Sequence, residues 1–178
     1  MLGITDQIRA ACRAVSEQAR WVRIDRDRFS SYLQELPVTE AGQPAHDASC
    51  HFIDHGEETV AFFLTLDSIN FNSGYNPHLK KRPGMSGYFT IASALSDYFH
   101  ANGPLSAKEL MHLSVADCNR IFDQEPANRV AGELMHHFKL ALNDLGMLLI
   151  DKYNGGFTNL VLAADQSAEK LIHLLMQM

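Results

Sequence analysis

Cysteine is scarce in this chain. The three present, Cys12, Cys50 and Cys118, are odd in number, far apart and without a CxxC spacing, which excludes a disulfide framework and a cysteine-rich zinc site. Positive charge is also in deficit, with 15 Lys and Arg against 21 Asp and Glu and a formal net charge of -6. Broad, sequence-independent binding to nucleic acid needs a basic face that releases counterions, so that class is not expected. No apolar run approaches the roughly 18 residues of a spanning helix, and the N-terminus lacks a cationic segment followed by an apolar one. A reducing cytoplasm is therefore the expected compartment. The sequence also lacks GxSxG, HExxH, a Walker lysine and hydroxyl, internal repeats and low-complexity tracts. What is present is ordinary for a globular protein: 178 residues, 46% hydrophobic and 20% charged, enough for one domain with a proper core and too few for two.

Apolar spacing predicts a mainly α chain. Ile4 to Val22 reads as an amphipathic helix, Val22-Arg23-Ile24 as a short extended piece, and Asp27 to Leu36 as a second helix stopped by Pro37. Residues 38–49 carry few large apolar side chains and read as a loop. Thr59 to Phe71 is taken as a helix on length, with a buried strand as the competing reading. Tyr88 to Ala101 is helical and stops at Asn102-Gly103-Pro104. Ser106 and Glu109 have capping-box spacing, and a short helix begins at Ser114. Asn128 to Tyr153 is the longest periodic segment, ended by Asn154-Gly155-Gly156 as a left-handed cap. Phe157 to Ala164 and Ser167 to Gln177 follow. In the last of these, Leu171, Ile172, Leu174, Leu175 and Met176 want a partner surface, either the core or a further segment.

The chemistry concentrates between Val60 and Leu95. Asp67 stands alone among Phe62, Phe63, Leu64, Leu66, Ile69 and Phe71, where a carboxylate must be bonded, paired or driven towards its neutral form. It serves a ligand or orients a neighbouring side chain, or else it pairs with Lys80, Lys81 or Arg82 or faces solvent after all. Phe71, Tyr75 and Tyr88 are candidates to stack on a flat heterocycle, with core packing as the alternative. Lys80-Lys81-Arg82 suits a phosphate, aided by the amides of Gly84 to Gly87, or is an exposed basic loop. His46, Asp47, Cys50, His51, Asp54 and His55 form a ligand-rich stretch, although metal binding is the lesser reading and no metal or other cofactor is called for. His136, His137 and His173 read as structural or surface residues.

Leu66-Asp67-Ser68-Ile69-Asn70-Phe71, Arg82-Pro83-Gly84 and Ser86-Gly87-Tyr88-Phe89-Thr90 resemble motifs of the queuosine salvage family. The likeness continues through Leu145-Gly146, Gly155-Gly156-Phe157 and Ser167-Ala168-Glu169-Lys170-Leu171, in the family's order and over nearly the whole chain. This resemblance implies a single helical domain over residues 1–178, similar to the DNA-glycosylase-like fold, with a few short strands at most. It implies hydrolysis of the N-glycosidic bond of queuosine 5′-monophosphate to release queuine, with no direct binding to nucleic acid or membrane. His51 in Ala48-Ser49-Cys50-His51-Phe52 matches the family's ligand-contacting histidine, and Asp67, Phe71, Tyr75 and Tyr88 follow as substrate-binding candidates. The family's catalytic aspartate belongs to a C-terminal half that Met178 precedes, so no catalytic residue is assigned here. The missing half, or a second chain, is the expected partner of the Leu171–Met176 face. The alternatives are a non-catalytic queuine- or nucleotide-binding module and a metal-dependent hydrolase built on His46 to His55.

Overall fold

The computed structural model describes residues 3–37 and 46–178. The expected loop at 38–49 lies outside the described residues as far as 45. The chain divides into two compact units before His46. Nine α-helices and one 3-10 turn make up the regular structure of the described residues, which contain no strand. The mainly α expectation holds, and the piece expected to be extended at Val22-Arg23-Ile24 carries no regular secondary structure.

The first unit holds α1 (Ile4–Gln18) and α2 (Arg26–Glu35). α1 ends four residues before Val22, with Ala19 extended. The carboxylate of Asp25 accepts from the amide of Arg28 at 3.0 Å and so starts α2. None of the residues in either helix is buried within the unit.

The second unit contains α3 (Glu57–Asp67), the 3-10 turn Asn76–His78, α4 (Gly87–Asn102), α5 (Ala107–Met111), α6 (Val115–Ile121), α7 (Arg129–Tyr153), α8 (Phe157–Ala163) and α9 (Ala168–Leu175). Local chemistry sets most of these limits. The hydroxyls of Ser86, Ser106, Ser114 and Ser167 and the side-chain oxygen of Asn128 each accept an amide at a helix start. Reciprocal capping boxes open α5 and α6. Gly103 (φ +79°) ends α4, and Asn154 in the left-handed region (φ +50°) ends α7.

α3 is a helix, as length suggested, but occupies Glu57–Asp67 and not Thr59–Phe71. Its acidic first turn, Glu57 and Glu58, favours an earlier start at the positive end of the helix dipole. At its end, the Ser68 hydroxyl donates to the Thr65 carbonyl at 2.8 Å, and the Ile69 amide reaches back only to Leu66 at 3.2 Å. The last turn tightens, and Phe71 falls outside the helix.

α7 is the spine of this unit. Its stripe of Leu134, Phe138, Leu142, Leu145 and Leu149 is fully buried, while α5 and α6 pack across it. α5 comes close because residue 146 is glycine: a Cβ there would lie 2.5 Å from the Met111 amide nitrogen and 2.6 Å from the Ala107 carbonyl oxygen. Asn143 donates to the carbonyls of Leu110 and Leu113 at 2.6 and 3.3 Å, tying α7 to the end of α5. α3 packs against α4 and α8, with Phe62 and Phe99 buried between them at a ring separation of 5.6 Å.

Candidate functional site

The site begins with a turn. The Asp47 carboxylate accepts from the Ser49 amide at 2.9 Å and the Ser49 hydroxyl at 2.7 Å, which holds its carboxyl below the usual range. The Asp47 carbonyl takes the amides of Cys50 and His51, both at 2.9 Å. The chain therefore wraps back on itself and sends the His51 ring inwards, where it is buried. His51 Nδ1 lies 3.0 Å from that same Asp47 carbonyl oxygen. Its Nε2 lies 3.0 Å from the Tyr88 hydroxyl, delivered by the first turn of α4. Phe63 stacks on the imidazole at 5.8 Å, and Phe89 meets it edge-on at 6.1 Å.

Asp67 closes α3 on the helical face it shares with Phe63, one turn earlier. Its side chain reaches solvent, yet it lines an apolar recess of about 270 Å³ with Val60, Phe63, Leu64, Val161 and Leu171. That crowding raises the carboxyl above the ordinary 3.8, while His46 and His51 pull it back. Tyr88 responds to the same surroundings: burial raises its hydroxyl, and the Asp67 carboxylate raises it further. Among the described residues no hydrogen-bond donor reaches the Asp67 carboxylate, and two cations of the 80–82 loop are engaged elsewhere. Lys80 pairs with Asp123 at 3.2 Å and Glu125 at 3.8 Å, and Arg82 with Asp97 at 2.8 Å.

The structure thus brings His51, Asp67 and Tyr88 into one neighbourhood. Phe71 and Tyr75 are turned towards α7. The Phe71 ring, half exposed, meets Phe138 edge-on at 5.7 Å. Tyr75 donates to Glu133 at 3.1 Å and lies 6.4 Å from the His137 ring. The stretch from His46 to His55 is also divided. His51 turns to Tyr88, whereas His55 stacks on Phe52 at 3.9 Å and faces His100. Among the described residues no three His, Cys, Asp or Glu side chains are grouped to hold a metal ion.

Sequence reasoning missed Phe63 and Phe89 as the rings that flank His51. The four-residue step from Phe63 to Asp67 on one helix was the available signal. The Asp47 carbonyl carried no signal, because a backbone acceptor acquires its partner only through the fold.

A family model described as queuosine salvage protein matches residues 50–178. The chain is 26% identical over 168 residues to a queuosine 5′-phosphate N-glycosylase/hydrolase of Sphaerobacter thermophilus, covering 91% of this chain and 50% of that relative. It is 27% identical to the mouse protein of the same description over 182 residues, 95% of this chain and 53% of the relative. The bovine protein so described gives 25% over 185 residues, with the same coverage of 95% and 53%. The chain spans about half the length of these curated relatives.

Proposed function

We propose, since this chain belongs to the queuosine salvage protein family, that it contributes the base-receiving side of a site that hydrolyses the N-glycosidic bond of queuosine 5′-monophosphate and releases queuine. The observation that carries the reading is the grouping of His51, Tyr88 and Asp67 beside Phe63 and an apolar recess, in a chain whose relatives are named for this reaction. His51, Asp67 and Tyr88 are assigned to the base. Phe71 and Tyr75 are assigned to a more distant part of the ligand along α7.

Cleavage of such a bond leaves positive charge on the sugar and negative charge on the departing base. The chain's own residues are assigned to holding the base. Rings and hydrogen-bonding groups grip the heterocycle, and desolvation strengthens those contacts. Asp67 lies at the recess with its carboxyl raised, which suits a group that binds or shares a proton with the base better than a carboxylate that traps the sugar cation. The acid facing the sugar is assigned to the further segment that the relatives carry, in the same chain or another. The partner face for that segment is placed on α9, where Leu171, Leu174 and Leu175 pack on the core while Ile172 and Met176 remain exposed. No helix among the described residues is long and apolar enough to cross a membrane, and the reaction is assigned to the cytoplasm.

A second reading, a module that binds queuine without turnover, is favoured by the absence, among the described residues, of a donor that would orient Asp67. The test is incubation of the full chain with queuosine 5′-monophosphate, alone and with the C-terminal half of the Sphaerobacter thermophilus relative, while free queuine is followed by mass spectrometry. Release that requires the added half is expected. Queuine binding with no release in either mixture would move the assignment to the binding module, and release by the chain alone would contradict the placement of the sugar-facing acid.

A further inference from the structure

We propose that the Asp47 carbonyl sets the tautomer of His51, that Tyr88 is the positioning residue that donates to the Nε2 lone pair left by that tautomer, and that the Tyr88 oxygen is the hydrogen-bond acceptor the pair offers to a ligand. Only the identity of that ligand rests on the function proposed above. A backbone carbonyl can accept but not donate, so the 3.0 Å contact between Asp47 and His51 Nδ1 places a proton on Nδ1. In the neutral ring Nε2 then carries the lone pair, and the Tyr88 hydroxyl, 3.0 Å away, donates to it. With that proton committed, the phenol oxygen has only acceptor capacity left.

Tyr88 is also the more accessible member of the pair, half-buried where His51 is 5% exposed. Its backbone is well fixed. The preceding residue, Gly87, opens α4 against Asn76, whose side chain leaves no room for a Cβ. The following amide, of Phe89, donates to the Ser86 hydroxyl at 3.2 Å. Asp67 adds a second acceptor within electrostatic reach of Tyr88, and the rings of Phe63 and Phe89 flank the imidazole. A face made of acceptors between aromatic rings selects the N–H edge or ammonium group of a flat base. It repels oxoanions, so the 5′-phosphate of a nucleotide is held away from it.

The test is the imidazole ¹⁵N spectrum of the full chain labelled at histidine, recorded at about pH 8, where histidines with ordinary values are neutral. The His51 resonances are assigned by their loss in His51→Gln. The wild-type ring should show a protonated Nδ1 and an Nε2 that accepts a hydrogen bond. Tyr88→Phe should move Nε2 to the position of a free acceptor nitrogen and weaken queuine binding about tenfold. Inorganic phosphate should leave the His51 signals in place. A wild-type Nε2 that carries the proton overturns the proposal even if Tyr88→Phe does not fold. An unchanged spectrum in a folded Tyr88→Phe overturns it as well, as does a shift of His51 with phosphate. If the expected tautomer is found but the wild-type chain binds no queuine, the positioning role stands and the proposed function fails.

Discussion

His51 is buried with both ring nitrogens bonded and aromatic rings on several sides. Removing it leaves the half-buried Tyr88 hydroxyl without its acceptor and a void beside Phe62 and Phe63. His51→Ala is expected to lower the unfolding free energy by about 2–4 kcal/mol, read from the urea midpoint at unchanged m-value. Asp67 behaves in the opposite sense. Its folded carboxyl is raised above 3.8, so in the window just above that value the folded state holds more of the proton than the unfolded chain does. The contribution is present at low pH and is lost as pH rises through the raised value. Asp67→Asn is therefore expected to flatten this decline in a comparison of unfolding curves from acid to neutral pH. A steeper decline in the variant would contradict the crowding described for the recess. At this scale the sequence already exposed Asp67 as a lone acid in an apolar run, and His51 and Tyr88 through motif likeness. It did not separate them from Phe71 and Tyr75, because the helix taken on length to reach Phe71 stops at Asp67, where Ser68 turns its hydroxyl back on Thr65.

Helix ends marked by a side-chain or left-handed cap were the most legible feature, since caps are local chemistry. Ser106 with Glu109, Ser114, and Asn154-Gly155 each mark an end that the structure also shows. The close approaches were not legible, because they depend on which helices meet. The two glycines of α7 show the difference. Gly146 faces the backbone of α5, which cannot yield as a flexible side chain would, whereas a Cβ at Gly132 would meet nothing within 4 Å. Gly146→Ala is expected to destabilise by about 1–3 kcal/mol through overpacking. Gly132→Ala should stabilise by about 0.5–1 kcal/mol through reduced backbone freedom in the unfolded chain. Thermal unfolding of the two variants beside wild type checks both signs, and equal effects would mean that α5 does not lie against Gly146.

Over the whole molecule, the family match falls entirely within the second unit, residues 50–178, and that unit holds every member of the candidate site. Composition alone could reach only exclusions: too acidic for a general nucleic-acid binder and without a cysteine scaffold. The mainly α architecture followed from periodicity. Which acid stands near which histidine did not, because Asp47, His51, Asp67 and Tyr88 meet only when the turn before α3 folds against the start of α4. The central assertion is that this meeting point receives queuine. The most direct measurement is calorimetric titration of queuine into the full chain and into His51→Ala at matched concentrations, with the fold of the variant confirmed by circular dichroism. The account predicts saturable one-site binding to the wild-type chain and a loss of affinity of about tenfold or more in the variant. Equal affinity in the two proteins, or no binding by a folded wild-type chain, would contradict it.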